Sequence, residues 1–324
     1  MAKAEQESPP GVAGIREAVF SSSGDRIRAT QAKAAVAGLS IAESLFAVLF
    51  PSDCRICGET LVRISRLPVC RECLASMQPI AGGTCAVCGE RLFSAYAIAD
   101  AGTGNTPCCG LCQRIDPPFA RAVAYGSYES GLRELIHLLK YSGVLPAANV
   151  LGRMLAEPIA TLEREMGPEV VSVIPVPLHS SKLRQRGYNQ AALIARAFLK
   201  ITPARDRFHL CAEGLVRKRD TSSQTGLTAH QRRANLRGAF AVARPGEVKG
   251  REVLLVDDVY TTGATASECA RVLRRAGATK VWVATVARTL KISAQHVEIR
   301  GDDRSENEEE IAAAEVPMAK AVGI

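Results

Sequence analysis

Four cysteine pairs, each with two residues between its members, form the densest group of potential metal ligands in the chain. The pairs are Cys54/Cys57, Cys70/Cys73, Cys85/Cys88 and Cys109/Cys112. A structural zinc site uses four protein ligands, so eight thiolates supply two complete sites and leave no position for water or substrate. The spacing therefore predicts two structural zinc sites. A redox role is the weaker interpretation, because thioredoxin-like pairs occur singly at a strand-to-helix turn.

The grouping of these pairs stays open at the level of sequence. Sequential grouping, with the first two pairs on one metal and the last two on another, is the simplest arrangement, but an interleaved one uses the same ligands. Cys108 is adjacent to Cys109 and could compete with it for the metal. Cys211 and Cys269 lie far along the chain, and we expect them to be ordinary core or loop thiols.

A second group of chemically capable residues begins with two adjacent carboxylates, Asp257 and Asp258, at the end of an apolar run. The loop that follows contains Thr261, Thr262, Gly263, Ala264 and Thr265. Such a loop at the start of a helix offers free amide N–H groups and a positive dipole end, which bind phosphate. Carboxylates beside a phosphate are tolerated where they face hydroxyl groups. A ribose 5-phosphate meets both requirements, although the loop taken alone also fits a plain N-capped helix.

The elements around this loop alternate between helix and strand. Apolar spacing predicts helices over residues 131–141, 147–166, 189–200 and 265–276, the last of which ends at Gly277. Apolar and β-branched runs predict strands over residues 170–177, 251–256 and 280–287. This alternation predicts an α/β fold with a parallel sheet and right-handed crossovers. Ligands of such sheets bind at the carboxyl ends of the strands, where the two acids stand.

The distribution of charge and of apolar residues limits the possible binding partners and cellular location of the protein. The net charge of +8 is uneven, because residues 182–237 hold thirteen Lys or Arg against three Asp or Glu. Such an excess requires an anionic partner or a solvated face. The apolar runs are shorter than the roughly 18 residues that a spanning helix needs, and the N-terminus lacks the pattern of a signal peptide. We therefore predict a cytoplasmic protein without membrane insertion, in which reduced thiols bind metal.

Residues 253–265 resemble the phosphoribosyl pyrophosphate (PRPP) signature of type I phosphoribosyltransferases. Together with the preceding cysteine pairs, the chain is similar to the ComF family of competence proteins over about residues 45–290. Other matching segments are residues 49–51, 140–141, 175–190, 221–224, 232–233 and 235–240. The resemblance implies a double zinc ribbon over residues 45–118 and a phosphoribosyltransferase-like parallel sheet with flanking helices over residues 119–291. We expect the remaining regions, 1–44 and 292–324, to be disordered.

The resemblance also implies roles for individual residues. Asp257 and Asp258 would bind the ribose hydroxyls of PRPP, and residues 261–265 its 5-phosphate. The turn after the strand over 170–177, which carries Lys182, Arg184 and Arg186, would form the pyrophosphate loop. Arg217, Lys218 and Arg219 would lie at the mobile loop that closes over the substrate. Magnesium is expected with PRPP. Each basic residue also fits a solvated surface charge, and His137 and His179 are assigned no role.

Three functions agree with these features. The family resemblance favours a PRPP-binding protein of DNA uptake that handles single-stranded DNA with a helicase-like partner. The low aromatic content of 5% counts against it, because it offers few platforms for base stacking. An active phosphoribosyltransferase, a glycosyltransferase acting on PRPP, would need an acceptor pocket that the sequence does not reveal. A PRPP sensor without catalysis is the third hypothesis.

Overall fold

The computed structural model describes residues 52–61, 65–92, 106–219 and 235–290. The expected disordered regions 1–44 and 292–324 lie outside these ranges, as do the matching segments 49–51, 221–224 and 232–233. The chain divides into two compact units, Met1–Asp53 with Glu59–Ser65, and Cys54–Gly58 with Arg66–Ile324. In the first unit, Asp53 and Thr60 form an antiparallel bridge, and the Thr60 hydroxyl donates to Asp53 Oδ1 over 3.3 Å.

The larger unit is built on a five-stranded parallel sheet in the order β1-β7-β6-β2-β3, with a separate antiparallel pair of β4 and β5. The strands are β1 (Arg121–Ser127), β2 (Val171–Pro175), β3 (Phe208–Leu210), β4 (Leu215–Arg217), β5 (Phe240–Val242), β6 (Glu252–Tyr260) and β7 (Lys280–Arg288). All five residues of β2 are buried, as expected for a parallel strand covered on both faces. The predicted α/β fold is confirmed.

Seven helices accompany these strands in the described part of the chain. They are α1 (Arg71–Ala75), α2 (Gly110–Arg114), α3 (Ser130–Tyr141), α4 (Ala147–Glu163), α5 (Ser180–Arg186), α6 (Gln190–Ile201) and α7 (Ala264–Arg275). Short 3-10 turns occur at Arg205–Arg207 and Pro245–Glu247. Helices α4 and α6 pack closely at Gly152, where an added Cβ would lie 2.5 Å from Ala197 Cβ. The helices predicted from apolar spacing correspond to α3, α4, α6 and α7.

Two local predictions were wrong in a way that bears on function. The strand predicted to end at Val256 continues to Tyr260, because β7 pairs with it past the two acids, at Asp257↔Thr285 and Tyr260↔Arg288. Backbone pairing to a neighbouring strand thus outweighs the loss of the apolar pattern. The expected open turn after β2 is helix α5, so Lys182 and the two arginines that follow it are on a helix. Residues four apart on a helix lie on one face, so Lys182 and Arg186 share a side of α5, whereas Arg184 points away from it.

Candidate functional site

The eight paired cysteines form two groups of four, each with its sulfur atoms within 4.8 Å of one another. The first tetrad is Cys54, Cys57, Cys70 and Cys73, and the second tetrad is Cys85, Cys88, Cys109 and Cys112. The grouping is therefore sequential. Sulfur–sulfur distances of 3.8 Å for Cys54/Cys73 and 3.7 Å for Cys88/Cys109 fit tetrahedral zinc, since Zn–S bonds of about 2.3 Å place sulfurs about 3.8 Å apart. Both tetrads suit structural zinc.

Backbone amides point at the sulfur atoms in both tetrads. The Cys70 amide lies 3.3 Å from Cys54 Sγ, and the Cys109 amide lies 3.3 Å from Cys85 Sγ. A hydrogen bond from the Cys88 thiol, joined by the amides of Cys88 and Cys109, lowers the pKa of Cys85 to about 3. Amides that stabilise a thiolate in this way also support it as a metal ligand. Cys108 lies beside the second tetrad, with its sulfur 3.9 Å from Cys85 Sγ.

The second tetrad is joined to the edge of the central sheet. The Ala122 amide of β1 donates to the Val87 carbonyl over 2.7 Å, so the metal-binding turn extends the backbone pairing of that strand. Arg288, at the end of β7, is 2% exposed. Its guanidinium donates to the Cys88 carbonyl and forms an ion pair with Glu90 at 2.8 Å. This buried ion pair joins the end of β7 to the turn of the second tetrad.

The same arginine reaches the loop that sequence analysis assigned to phosphate. The Arg288 guanidinium stacks over the ring of Tyr260, 4.9 Å from its centroid, and Tyr260 is the last residue before that loop. The Tyr260 hydroxyl occupies the space beside Gly263, where an added Cβ would lie only 2.2 Å away. Gly263 has a φ of 73°, in the left-handed region that glycine tolerates. Arg288 and Tyr260 thus connect the conformation of this loop to the residues around the second tetrad.

The loop itself has an unsatisfied polar atom. Thr262 Oγ1 is buried and has no hydrogen-bond partner within the described ranges. Helix α7 begins directly after Gly263, so no side chain at the N-cap occupies its first amides. Asp257, Thr261, Gly263 and Thr265 line a cavity of about 20 Å³ at this point, which is room for little more than a water before the loop adjusts. The Thr262 hydroxyl and the first amides of α7 are the hydrogen-bond donors that this loop offers.

The two acids occupy different surroundings. Asp257 lines the small cavity of the loop, whereas Asp258 is 4% exposed and forms an ion pair with Lys140 across 2.8 Å. Burial, together with the neighbouring charge of Asp258, raises the pKa of Asp257 to about 8. Burial also disfavours a charged Lys140, but the attraction of Asp258 outweighs it and raises the pKa of the lysine. The site therefore holds Lys140 charged.

A wider cavity of about 560 Å³, the basic cleft, opens beside this ion pair. Its lining residues are Lys140, Tyr141, Ser142, Gly143, Lys182, Gln185, Arg186 and Tyr188. The Arg186 guanidinium lies 5.6 Å from the Tyr141 ring centroid, and the Tyr188 hydroxyl donates to the Leu139 carbonyl. Asn189 caps α6 through the Ala191 amide at 3.0 Å. The cleft thus has three cations, Lys140, Lys182 and Arg186, beside tyrosine side chains that are held by these contacts.

The structure does not bring every predicted cation to these cavities. Arg184 is exposed on α5 and does not line the basic cleft. Lys218 is also exposed, with its amide bonded to the Ala239 carbonyl at 2.8 Å, and it lines neither cavity. Sequence analysis assigned no site role to Lys140 and did not single out Arg288. Lys140 stood only within the matching segment 140–141, and the signal for Arg288 was a cation ending an otherwise apolar strand.

Comparison with known proteins gives separate matches for the cysteine-rich region and for the region of the sheet. A double zinc ribbon domain model matches residues 45–116, and a phosphoribosyl transferase domain model matches residues 190–319. DNA utilization protein YhgH of Escherichia coli O157:H7 is 37% identical over 186 residues, covering 56% of this chain and 78% of the relative. Competence protein F of Haemophilus influenzae is 30% identical over 226 residues, covering 68% and 96%.

Among solved structures, the allosteric regulatory enzyme of purine biosynthesis is 28% identical, with a TM-score of 0.26 over 44% of this chain and 26% of that enzyme. The two domain models define a zinc-ribbon protein with a phosphoribosyltransferase domain. With its relatives above, the chain belongs to the ComF family. Among the residues that the structure describes, no helix has the length and apolarity needed to cross a membrane.

Proposed function

We propose that this chain binds PRPP with Mg²⁺ at the carboxyl edge of its sheet and uses that site while handling single-stranded DNA in the cytoplasm. The observation that carries the PRPP assignment is the Thr262 hydroxyl just before α7, which is buried and has no hydrogen-bond partner among the residues that the structure describes. A 5-phosphate on residues 261–265 would satisfy this hydroxyl and the free amides of the helix. The acids beside the loop then accept hydrogen bonds from the ribose hydroxyls.

The pyrophosphate of PRPP is assigned to the basic cleft. Lys182 and Arg186 line that cleft and supply charge-assisted hydrogen bonds to phosphate oxygens. Magnesium suits this position because it prefers oxygen ligands and retains waters beside phosphates. Arg184 and Lys218 lie outside both cavities, so their proposed contribution is to attract the anion electrostatically from a distance.

Titration calorimetry of PRPP with Mg²⁺ tests this assignment. Wild type is expected to bind, and the double variant Asp257→Asn with Asp258→Asn is expected to lose binding by at least about a hundredfold, because both carboxyl acceptors of the ribose hydroxyls are removed. Thr262→Val is expected to weaken binding about tenfold. Thr279→Val, at an exposed threonine after α7, is the matched control and should bind as wild type does. Equal affinity in all four proteins would reject the site.

The DNA-handling part of the proposal draws on the names of the relatives and on the basic stretch over residues 182–237. A phosphate backbone bound there should dissociate as salt rises, because binding releases counterions. Fluorescence anisotropy with single-stranded DNA at two salt concentrations measures this. Replacing Lys182, Arg184 and Arg186 by Ala should weaken binding and flatten its salt dependence. Replacing the exposed cations Arg153, Arg164 and Arg275, which lie outside that stretch, serves as the control.

The phosphoribosyl transferase domain also favours a second candidate, transfer of the ribosyl group to an acceptor. Such transfer depends on positioning and charge stabilisation, which the acids and the basic cleft can supply without a dedicated nucleophile. Pyrophosphate release from PRPP in the presence of a panel of amines and nucleobases tests it. Release that depends on one acceptor would support transfer, whereas binding without release from any of them would favour a non-catalytic PRPP site. A helicase-like partner remains a family-level proposal.

A further inference from the structure

The contact that stands out beside the loop is the ion pair between Lys140 and Asp258. Their side chains are only 15% and 6% exposed, and the Lys140 ammonium lies 2.8 Å from Asp258 Oδ2. At this distance the ammonium is both the ion-pair partner and a charge-assisted hydrogen-bond donor to the carboxylate. Lys140 can therefore leave Asp258 only where another anion takes the place of the carboxylate.

Lys140 borders two sites. It comes from the last turn of α3 and lines the basic cleft together with Lys182 and Arg186, while its ammonium reaches the acid beside the loop. The backbone next to it is anchored, since the Tyr188 hydroxyl donates to the Leu139 carbonyl. The side chain is a flexible four-carbon stem with three rotatable donors. Rotation about the bonds of this stem is the movement that would carry the ammonium from the carboxylate to the cleft that Lys140 already lines.

The two anionic positions compete for this one cation. In the free protein Lys140 neutralises a buried carboxylate, which would otherwise be costly to bury alone. A ribose hydroxyl needs the same carboxylate as its acceptor. Pyrophosphate in the cleft offers several charged oxygens, and charge-assisted hydrogen bonds to such groups are the strongest kind. Ribose binding at Asp258 and pyrophosphate binding in the cleft are thus linked through the lysine.

We propose that Lys140 exchanges Asp258 for the pyrophosphate group when PRPP binds, and that this exchange makes the site select PRPP over ribose 5-phosphate. The inference rests on the proposed PRPP function and adds a specificity-determining residue to it. Ribose 5-phosphate brings hydroxyls for the carboxylate but no anion for the displaced ammonium. Binding of ribose 5-phosphate would therefore leave the Lys140 ammonium without an anionic partner, whereas the pyrophosphate group of PRPP supplies one.

The test compares the affinities of the full protein for PRPP and for ribose 5-phosphate, each with Mg²⁺, by calorimetry. In Lys140→Gln the affinity for PRPP is expected to fall about tenfold or more, through loss of a charged donor. The affinity for ribose 5-phosphate is expected to stay level or rise. Lys200→Gln, at an exposed lysine that ends α6, should leave both affinities unchanged. A parallel fall for both ligands, or no change for either, would overturn the exchange.

A second variant keeps the proposal testable if Lys140→Gln does not fold. Asp258→Asn removes the competing carboxylate and releases Lys140, so inorganic pyrophosphate with Mg²⁺ should bind about threefold or more tightly than to wild type. An unchanged or weaker affinity for pyrophosphate would contradict the exchange. Failure of wild type to bind PRPP at all would instead reject the proposed function. Wild-type binding with no change of selectivity in Lys140→Gln would reject only the role of the lysine.

Discussion

The two cysteine tetrads use the same ligands and similar turns, yet their surroundings differ. In the first tetrad Cys57 is exposed, and Gly58, which follows it, has open space where a side chain would project. In the second tetrad Cys85 and Cys88 are buried in one apolar cluster with Tyr260 and Ala264, beside the proposed phosphate loop. The two tetrads therefore have the same four-cysteine ligand set but differ in how much of the fold packs around them. The first tetrad organises its own turn, whereas the second also holds the edge of the sheet.

The largest expected difference comes from removing one zinc ligand on each side. Cys88→Ser is expected to lower the free energy of unfolding by about 4 kcal/mol, because it releases a metal and loosens a buried cluster. Cys57→Ser is expected to cost less than half as much. Urea unfolding followed by circular dichroism measures both, and zinc analysis confirms that each variant retains one ion. Equal losses of stability would mean that the surroundings of the tetrads do not matter.

The next largest loss of stability is expected on removal of the ion pair between Arg288 and Glu90, which joins the second tetrad to the sheet. Arg288→Met removes the cation from a buried ion pair with Glu90, which typically costs about 3–5 kcal/mol. Adding Glu90→Gln should recover part of that loss. The exposed pair Arg244 and Glu213 provides the control, since solvent screens exposed ion pairs and Arg244→Met should change stability far less than Arg288→Met does. Additive losses in the cycle of Arg288 and Glu90 would show that the pair does not act as a unit.

The glycines that follow the first cysteine pair of each tetrad give a matched test of smaller size. Gly58 and Gly89 have φ values of 80° and 71°, so replacement by Ala strains both backbones by about 1–2 kcal/mol. At Gly89 the new Cβ would also lie 2.8 Å from the Ala122 carbonyl oxygen, a backbone atom that cannot move aside easily. Gly89→Ala should therefore cost at least about 1 kcal/mol more than Gly58→Ala in thermal unfolding. The reverse order would place the tight packing at the first tetrad.

The smallest effect is expected at the spare thiol of the second tetrad. Cys108 lies outside the four-sulfur group, although its sulfur approaches Cys85 Sγ at 3.9 Å. Cys108→Ser should retain two zinc ions and change stability by no more than about 0.5 kcal/mol. Cys109→Ser should retain one. If Cys108→Ser lost an ion and Cys109→Ser did not, Cys108 would be the true ligand.

Much of the site was predictable where function follows from short spacing. The eight ligands were predictable because two cysteines separated by two residues can grip one metal from a single turn. The loop after the acids was predictable because a glycine at positive φ before a helix is a local requirement. Sequence analysis missed the roles of Lys140 and Arg288 because their partners, Asp258 and Glu90, lie far away along the chain.

The sequence by itself determined the identity of the metal ligands, the order of the four longer helices and of strands β2, β6 and β7, and the position of the acid pair and the loop. All of these follow from local periodicity and local backbone geometry. Only the tertiary structure decided that the tetrads are sequential, that β6 continues to Tyr260, and that the two acids face different surroundings. These outcomes depend on strand pairing and on charges brought together by folding, which no short window of residues records.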